Sequence, residues 1–141
     1  MKRSSCLQRI GIPLVAAVVT YVPYQANAGS PFESELARLG GRAAKQCGLV
    51  PIGHDAKSAW RCVGDAERKG EAFWFALQQQ GIDSEVWIAA IRTPSGAHLI
   101  LDYDSNVDGG PGLKPRFYQK NCPHRILYRP AEQPPLKCEH G

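Results

Sequence analysis

Three groups of side chains in this 141-residue chain have types and spacings that point to chemistry. From Asp104 the sequence runs Asp104-Ser-Asn106-Val-Asp108-Gly109. Oxygen ligands at alternate positions, with a glycine for the sharp turn, open a calcium loop. The pattern departs from an EF-hand at its twelfth position, which is Pro115 rather than a bidentate glutamate. The competing reading is an acidic turn leaving a strand, with Asn, Asp and Gly serving turn geometry. The second group is Cys122-Pro-His124 with Cys138-Glu-His140. On extended chain, residues i and i+2 share a face, so two C-x-H units can converge on one zinc ion. A disulfide competes directly for the same thiols. The third group is Trp87, Ile91 and Ile100 around His98 and Asp102. A tryptophan among polar groups has the composition of a contact surface, and it predicts a binding role for these five residues.

Support for catalysis is thin. The chain has no G-x-S-x-G, no H-E-x-x-H and no phosphate-binding glycine loop. The weak basis for a small hydrolase is a polar set, His98, Asp102 and Asp104, near one strand end. His98 and Asp102 are four residues apart on that strand, about 13 Å along it, too far for a direct hydrogen bond. The sequence therefore favours a non-enzyme with no organic cofactor, leaving calcium or zinc as the metal alternatives.

These residues must be positioned by the stretch from Glu71 to Asp104, which reads as three consecutive β-strands. Ala97, Leu99, Leu101 and Tyr103 alternate with His98, Ile100, Asp102 and Asp104, the period of a half-buried strand. Val86 to Arg92 is apolar on both faces, and Ala72 to Gln78 puts Phe73, Phe75 and Leu77 on one side and Trp74 on the other. If Thr93-Pro94-Ser95-Gly96 is the whole connecting loop, Arg92 faces Ala97, and cross-strand partners share a face. One face then carries Val86, Ile88, Ala90, Leu99, Leu101 and Tyr103 as core. The other carries Trp87, Ala89, Ile91, His98, Ile100 and Asp102, either covered by the C-terminal segment or open to a partner.

Residues 1–28 read as a secretory signal peptide. Lys2, Arg3 and Arg9 precede an apolar run from Ile10 to Val22, and Ala26-Asn27-Ala28 is an A-x-A cleavage signal. The run is shorter than the roughly 20 residues of a spanning helix, so no stable membrane insertion is expected after cleavage. Gly29, not cysteine, follows the cleavage point, which predicts no lipid anchor. Of 17 Lys and Arg, those three fall in the leader, leaving 14 against 13 acidic residues from Gly29 onward. With no basic face, nucleic acid is a poor partner. Cys47, Cys62, Cys122 and Cys138 remain, an even number that in an exported chain reads as disulfides. Three connectivities are open. Cys47–Cys62 with Cys122–Cys138 is favoured because each pair closes a short loop.

Residues 29–141 predict a single small domain. Ser30-Pro31-Phe32-Glu33 is a capping box with proline at N1. Phe32, Leu36, Leu39 and Ala43 continue at helical spacing toward Cys47-Gly48, across a Gly40-Gly41 pair that weakens the helix. Asp55 is a plausible N-cap for a second helix, with Ala59, Cys62, Val63 and Ala66 on one face and Gly70 as its stop. Arg116 to Cys122 reads as a fourth strand, Ile126-Leu127-Tyr128 as a short apolar patch, and Leu136 to Glu139 as an edge strand. The expected fold is α+β: two N-terminal helices packed on a three- to four-stranded antiparallel sheet, stapled by disulfides. Over residues 30–104 this layout resembles the scaffold of outer-membrane assembly lipoproteins and of some secreted β-lactamase inhibitor repeats. The resemblance implies protein binding. The sequence thus predicts an exported periplasmic or secreted binding or inhibitor-like module, with an envelope or extracellular protein as partner.

Overall fold

A computed structural model describes residues 29–112 and 114–140. The signal-peptide reading lies outside the described residues. The elements in chain order are α1 (Pro31–Gly40), β1 (Lys45–Val50), α2 (Lys57–Lys69), β2 (Phe73–Gln79), β3 (Val86–Arg92), β4 (His98–Asp104), β5 (Arg116–Cys122), β6 (Ile126–Tyr128) and β7 (Leu136–Cys138). Strands β1 to β5 form one sheet in sequence order, and β6 and β7 form a separate two-stranded sheet. Within the large sheet β1 is parallel to β2, and every other neighbouring pair is antiparallel.

This overturns the expectation of two N-terminal helices on a small antiparallel sheet. Helix α1 begins as the sequence predicts: Ser30 Oγ accepts from Glu33 N, and Glu33 Oε2 accepts from Ser30 N. It stops at Gly40 instead of running on to Cys47, because Gly41 takes φ +82°. Past the break, Lys45–Val50 becomes a strand, and Gly48 at φ +120° sits at a shift in register between Gln46 and Gly48. A helix through two adjacent glycines would cost about 2 kcal/mol relative to alanine, whereas the strand gains a parallel partner. Helix α2 is therefore the crossover of a β–α–β unit rather than the second half of a helical pair. Its N-cap is Ala56, one residue beyond the expected Asp55, whose Oδ1 accepts from Lys57 N at 2.9 Å. Gly70 ends it in the left-handed conformation at φ +69°.

The pairing of β3 with β4 also differs from expectation. Arg92 pairs with His98, not Ala97. The loop has five residues, closed by Thr93 N donating to Ala97 O and Gly96 N to Thr93 O. A one-residue slip moves every side chain of one strand to the opposite face. The true faces are Trp87, Ala89 and Ile91 with Leu99, Leu101 and Tyr103, and Ile88, Ala90 and Arg92 with His98, Ile100 and Asp102.

Both faces are covered. Helix α1 lies over the first, where Phe32 stacks on Trp87 and Tyr103 with ring centroids 5.6 and 5.2 Å apart. The second is covered by α2, through Val63 and Ala66, and by the β6–β7 hairpin, through Ile126 and Leu136. The two disulfides pair as expected. Cys47–Cys62 ties β1 to α2, and Cys122–Cys138 ties the end of β5 to β7. None of the described helices is long and apolar enough to cross a membrane.

Candidate functional site

The five residues expected to share a contact surface fall on opposite sides of the sheet. Trp87 and Ile91 are buried under α1, and Trp87 Nε1 donates to Glu85 Oε1 at 2.6 Å. His98, Ile100 and Asp102 lie on the other face. The cause is the five-residue loop, which shifts β4 by one position against β3.

His98 is held by structure. Its Nε2 lies 2.5 Å from Glu67 Oε1 on α2, and the Nε of Arg92 is 3.8 Å from Glu67 Oε2. Arg92 Nη1 also donates to the carbonyls of Gly70 and Glu71. Those carbonyls lie just past the end of α2, where a cation offsets the negative end of the helix dipole. The cross-strand pair Arg92 and His98 thus fastens α2 to the middle of the sheet through one carboxylate.

Asp102 lies in a separate cleft of about 460 Å³ between the sheet and the hairpin. Ile88, Ile100 and Leu136 form its apolar floor, with Lys120, Lys137 and His140 at its rim. Burial pushes the Asp102 carboxyl above the usual carboxylate range, and the Lys120 charge pulls it partly back.

At the two candidate metal sites the described side chains have other partners. Asp104 Oδ1 accepts from the backbone N of Asn106 at 2.9 Å, and Asp108 pairs with Lys114 at 3.2 Å. Asn106 Nδ2 donates to Gly110 O, while its Oδ1 is buried without a partner among the described residues. This is the geometry of a turn closing on its own backbone. At the other candidate, Cys122 and Cys138 are joined to each other, so they present no thiolate for zinc. Among the described residues, no group of three or more His, Cys, Asp or Glu side chains is placed to share a metal ion.

A cleft of about 600 Å³ runs between α2 and β6. Trp60, Val63, Gly64, Glu67 and Arg68 supply the helix wall. Their spacing, i, i+3, i+4, i+7 and i+8, is one face of a helix. The opposite wall is the unbroken run Arg125 to Arg129. Trp60 packs against Tyr128, with centroids 5.3 Å apart, and Phe75 lies behind both. Arg125 pairs with Glu139 through two hydrogen bonds of 3.0 Å. Gly64 opens the middle, since a Cβ there would meet only the Arg68 guanidinium at 3.7 Å. Neither wall belongs to the three groups of residues singled out above by type and spacing. A visible signal was Trp60-x-x-x-Gly64-x-x-Glu67 on a helix, together with Arg125 and Arg129 flanking an apolar triplet.

Comparison with protein-family models, with curated proteins and with solved structures finds no match.

Proposed function

We propose that the chain is the precursor of an exported, disulfide-stapled, single-domain protein that works as a non-catalytic binding module. It contacts an envelope or extracellular protein through the cleft between α2 and β6. The observation that supports this reading is the make-up of that cleft: an aromatic and aliphatic wall around Trp60, Val63 and Tyr128, rimmed by arginines. Apolar concavities with a few polar groups are where proteins take up ligands, and aromatic and arginine anchors dominate contact energies. The disulfides support it further, because each holds one wall of the cleft, and such bonds persist in oxidising compartments.

Two measurements test the reading. The N-terminus of the secreted protein should be Gly29, with no free thiol. Crosslinking in the producing culture should then capture a discrete partner that Gly64→Arg loses. This substitution fills the cleft from an open helix position and improves local helix propensity. An intact Met1 with alkylatable Cys47 and Cys138 refutes export. A partner retained by the arginine variant removes the cleft as its contact surface.

A further inference from the structure

Strand β6 lies edge-on to the cleft, as shown by five consecutive residues lining it where a side-chain face would supply alternate ones. Its pairing with β7 fixes which backbone groups look outward. Glu139 N donates to Arg125 O at 2.9 Å and Arg129 N to Pro135 O at 2.7 Å, with Leu127 opposite Lys137 between them. In an antiparallel ladder, hydrogen-bonded pairs alternate with non-bonded ones. Ile126 and Tyr128 are the non-bonded positions, so both their N–H and C=O groups point away from β7. Strand β7 is the only strand that β6 pairs with, and no other backbone partner meets Ile126 or Tyr128 among the described residues. An open strand edge beside a helix, with a gap between them, is the arrangement that accepts an added strand.

Charge selects the occupant. Arg68, Arg125 and Arg129 border the cleft with Glu67; Glu67 is engaged by His98 and Arg92, Arg68 by Asp65 and Arg125 by Glu139, so Arg129 is the cation that the cleft leaves for an incoming carboxylate. Arg129 forms no ion pair among the described residues. A basic strand would be repelled, and the chain's own leader, with Lys2, Arg3 and Arg9, is basic. We infer that the α2–β6 cleft takes an extended acidic segment of a partner protein, which adds as a strand to β6 through the backbone groups of Ile126 and Tyr128. This rests on the binding reading above and names the class of partner. Alternate side chains of the added strand would face the Trp60–Tyr128 wall, and its acidic ones the rim at Arg129.

The test uses the secreted, oxidised protein and three peptides: acetyl-(Glu-Val)₃-amide, the same peptide with alternate amides N-methylated, and acetyl-(Lys-Val)₃-amide. Binding is followed by the amide resonances of Ile126 and Tyr128 and the indole resonance of Trp60. The glutamate peptide should shift all three and slow amide exchange at Ile126 and Tyr128. N-methylation should weaken it about tenfold by removing two of the backbone bonds, and the lysine peptide should bind more weakly still. Added salt should lower the affinity. Equal binding of parent and methylated peptides, with shifts abolished by Gly64→Arg, overturns strand addition but leaves the cleft as a binding site. Absence of any cleft shift with the glutamate peptide at millimolar concentration overturns the proposal outright. A dimer in solution that Gly64→Arg dissolves also overturns it, by giving the cleft to a second copy of this chain.

Discussion

Phe32 is the residue whose removal most directly tests how the sheet's first face is sealed. Helix α1 spans ten residues and buries only Phe32, Leu36 and Gly40. A helix that short is marginal on its own, so it stays in place through those side chains. Full burial of each large one stabilises by roughly 1.5–3 kcal/mol. Phe32→Ala removes the larger of the two fully buried side chains that α1 sets on the sheet and leaves Leu36, with partly buried Leu39, to hold it. The helix should therefore undock rather than sit over a cavity. Undocking uncovers Trp74, Trp87 and Tyr103, which now form the sealed face. We expect a loss of about 3–5 kcal/mol in denaturant unfolding, with a red shift of tryptophan emission already present before the transition. Hydrogen exchange across 31–40 should rise to unprotected rates while β3 and β4 stay protected. Phe32→Leu should keep the blue emission. A loss below about 1 kcal/mol with unchanged native emission would refute the claim that Phe32 holds α1 on the sheet.

The disulfides close sequence separations of 15 and 16 residues, for which the chain-entropy relation gives about 3 kcal/mol each; the double variants Cys47→Ser/Cys62→Ser and Cys122→Ser/Cys138→Ser should each lose about that much in urea unfolding, and a variant as stable as the parent would contradict it. Burial raises the Asp102 carboxyl above its unfolded value, so the ionised group opposes folding at neutral pH, and this cost is relieved as pH falls through the raised folded value toward the unfolded one. Asp102→Asn should accordingly stabilise the protein at pH 7, with the difference vanishing below the ordinary Asp range; a destabilised variant at pH 7 would show that Asp102 is held by a favourable charge instead. Glu67→Gln removes the shared partner of Arg92 and His98 and should cost about 1–2 kcal/mol in thermal or denaturant unfolding, with raised exchange at the C-terminal end of α2; no change in either would mean α2 is held by packing and Cys62 alone.

The features legible in the sequence are those set by neighbouring residues. Ser30 and Glu33 form their capping box, Gly70 stops α2, and β3 and β5 occupy the expected ranges. Both cysteine pairings follow from loop length. What escaped depends on distant partners. Lys45–Val50 has little strand pattern of its own, and only the open edge of β2 makes it a strand. The connection at Thr93–Ala97 offered a turn at Pro94, but Ala97 O accepts from Thr93 N and adds a fifth loop residue. Local chemistry does not distinguish four from five. Because strand period is two, that single residue decided whether Trp87 and His98 shared a surface.

The same displacement bears on why the candidate cleft lies where the chain looked least structured. With Trp87 sealed by α1, the apolar second face, Phe73, Phe75, Ile88, Ala90 and Ile100, needs a cover wider than α2 provides. Strands β6 and β7 supply it with only three residues each. Two-stranded pieces of that size are not stable alone, and this one is anchored by Leu136, Ile126 and the bond from Cys138 to Cys122. A small lid pinned beside a helix cannot close the gap to that helix completely. The cleft with its unpaired β6 edge is what remains, and Cys122–Cys138 is what keeps that edge facing α2.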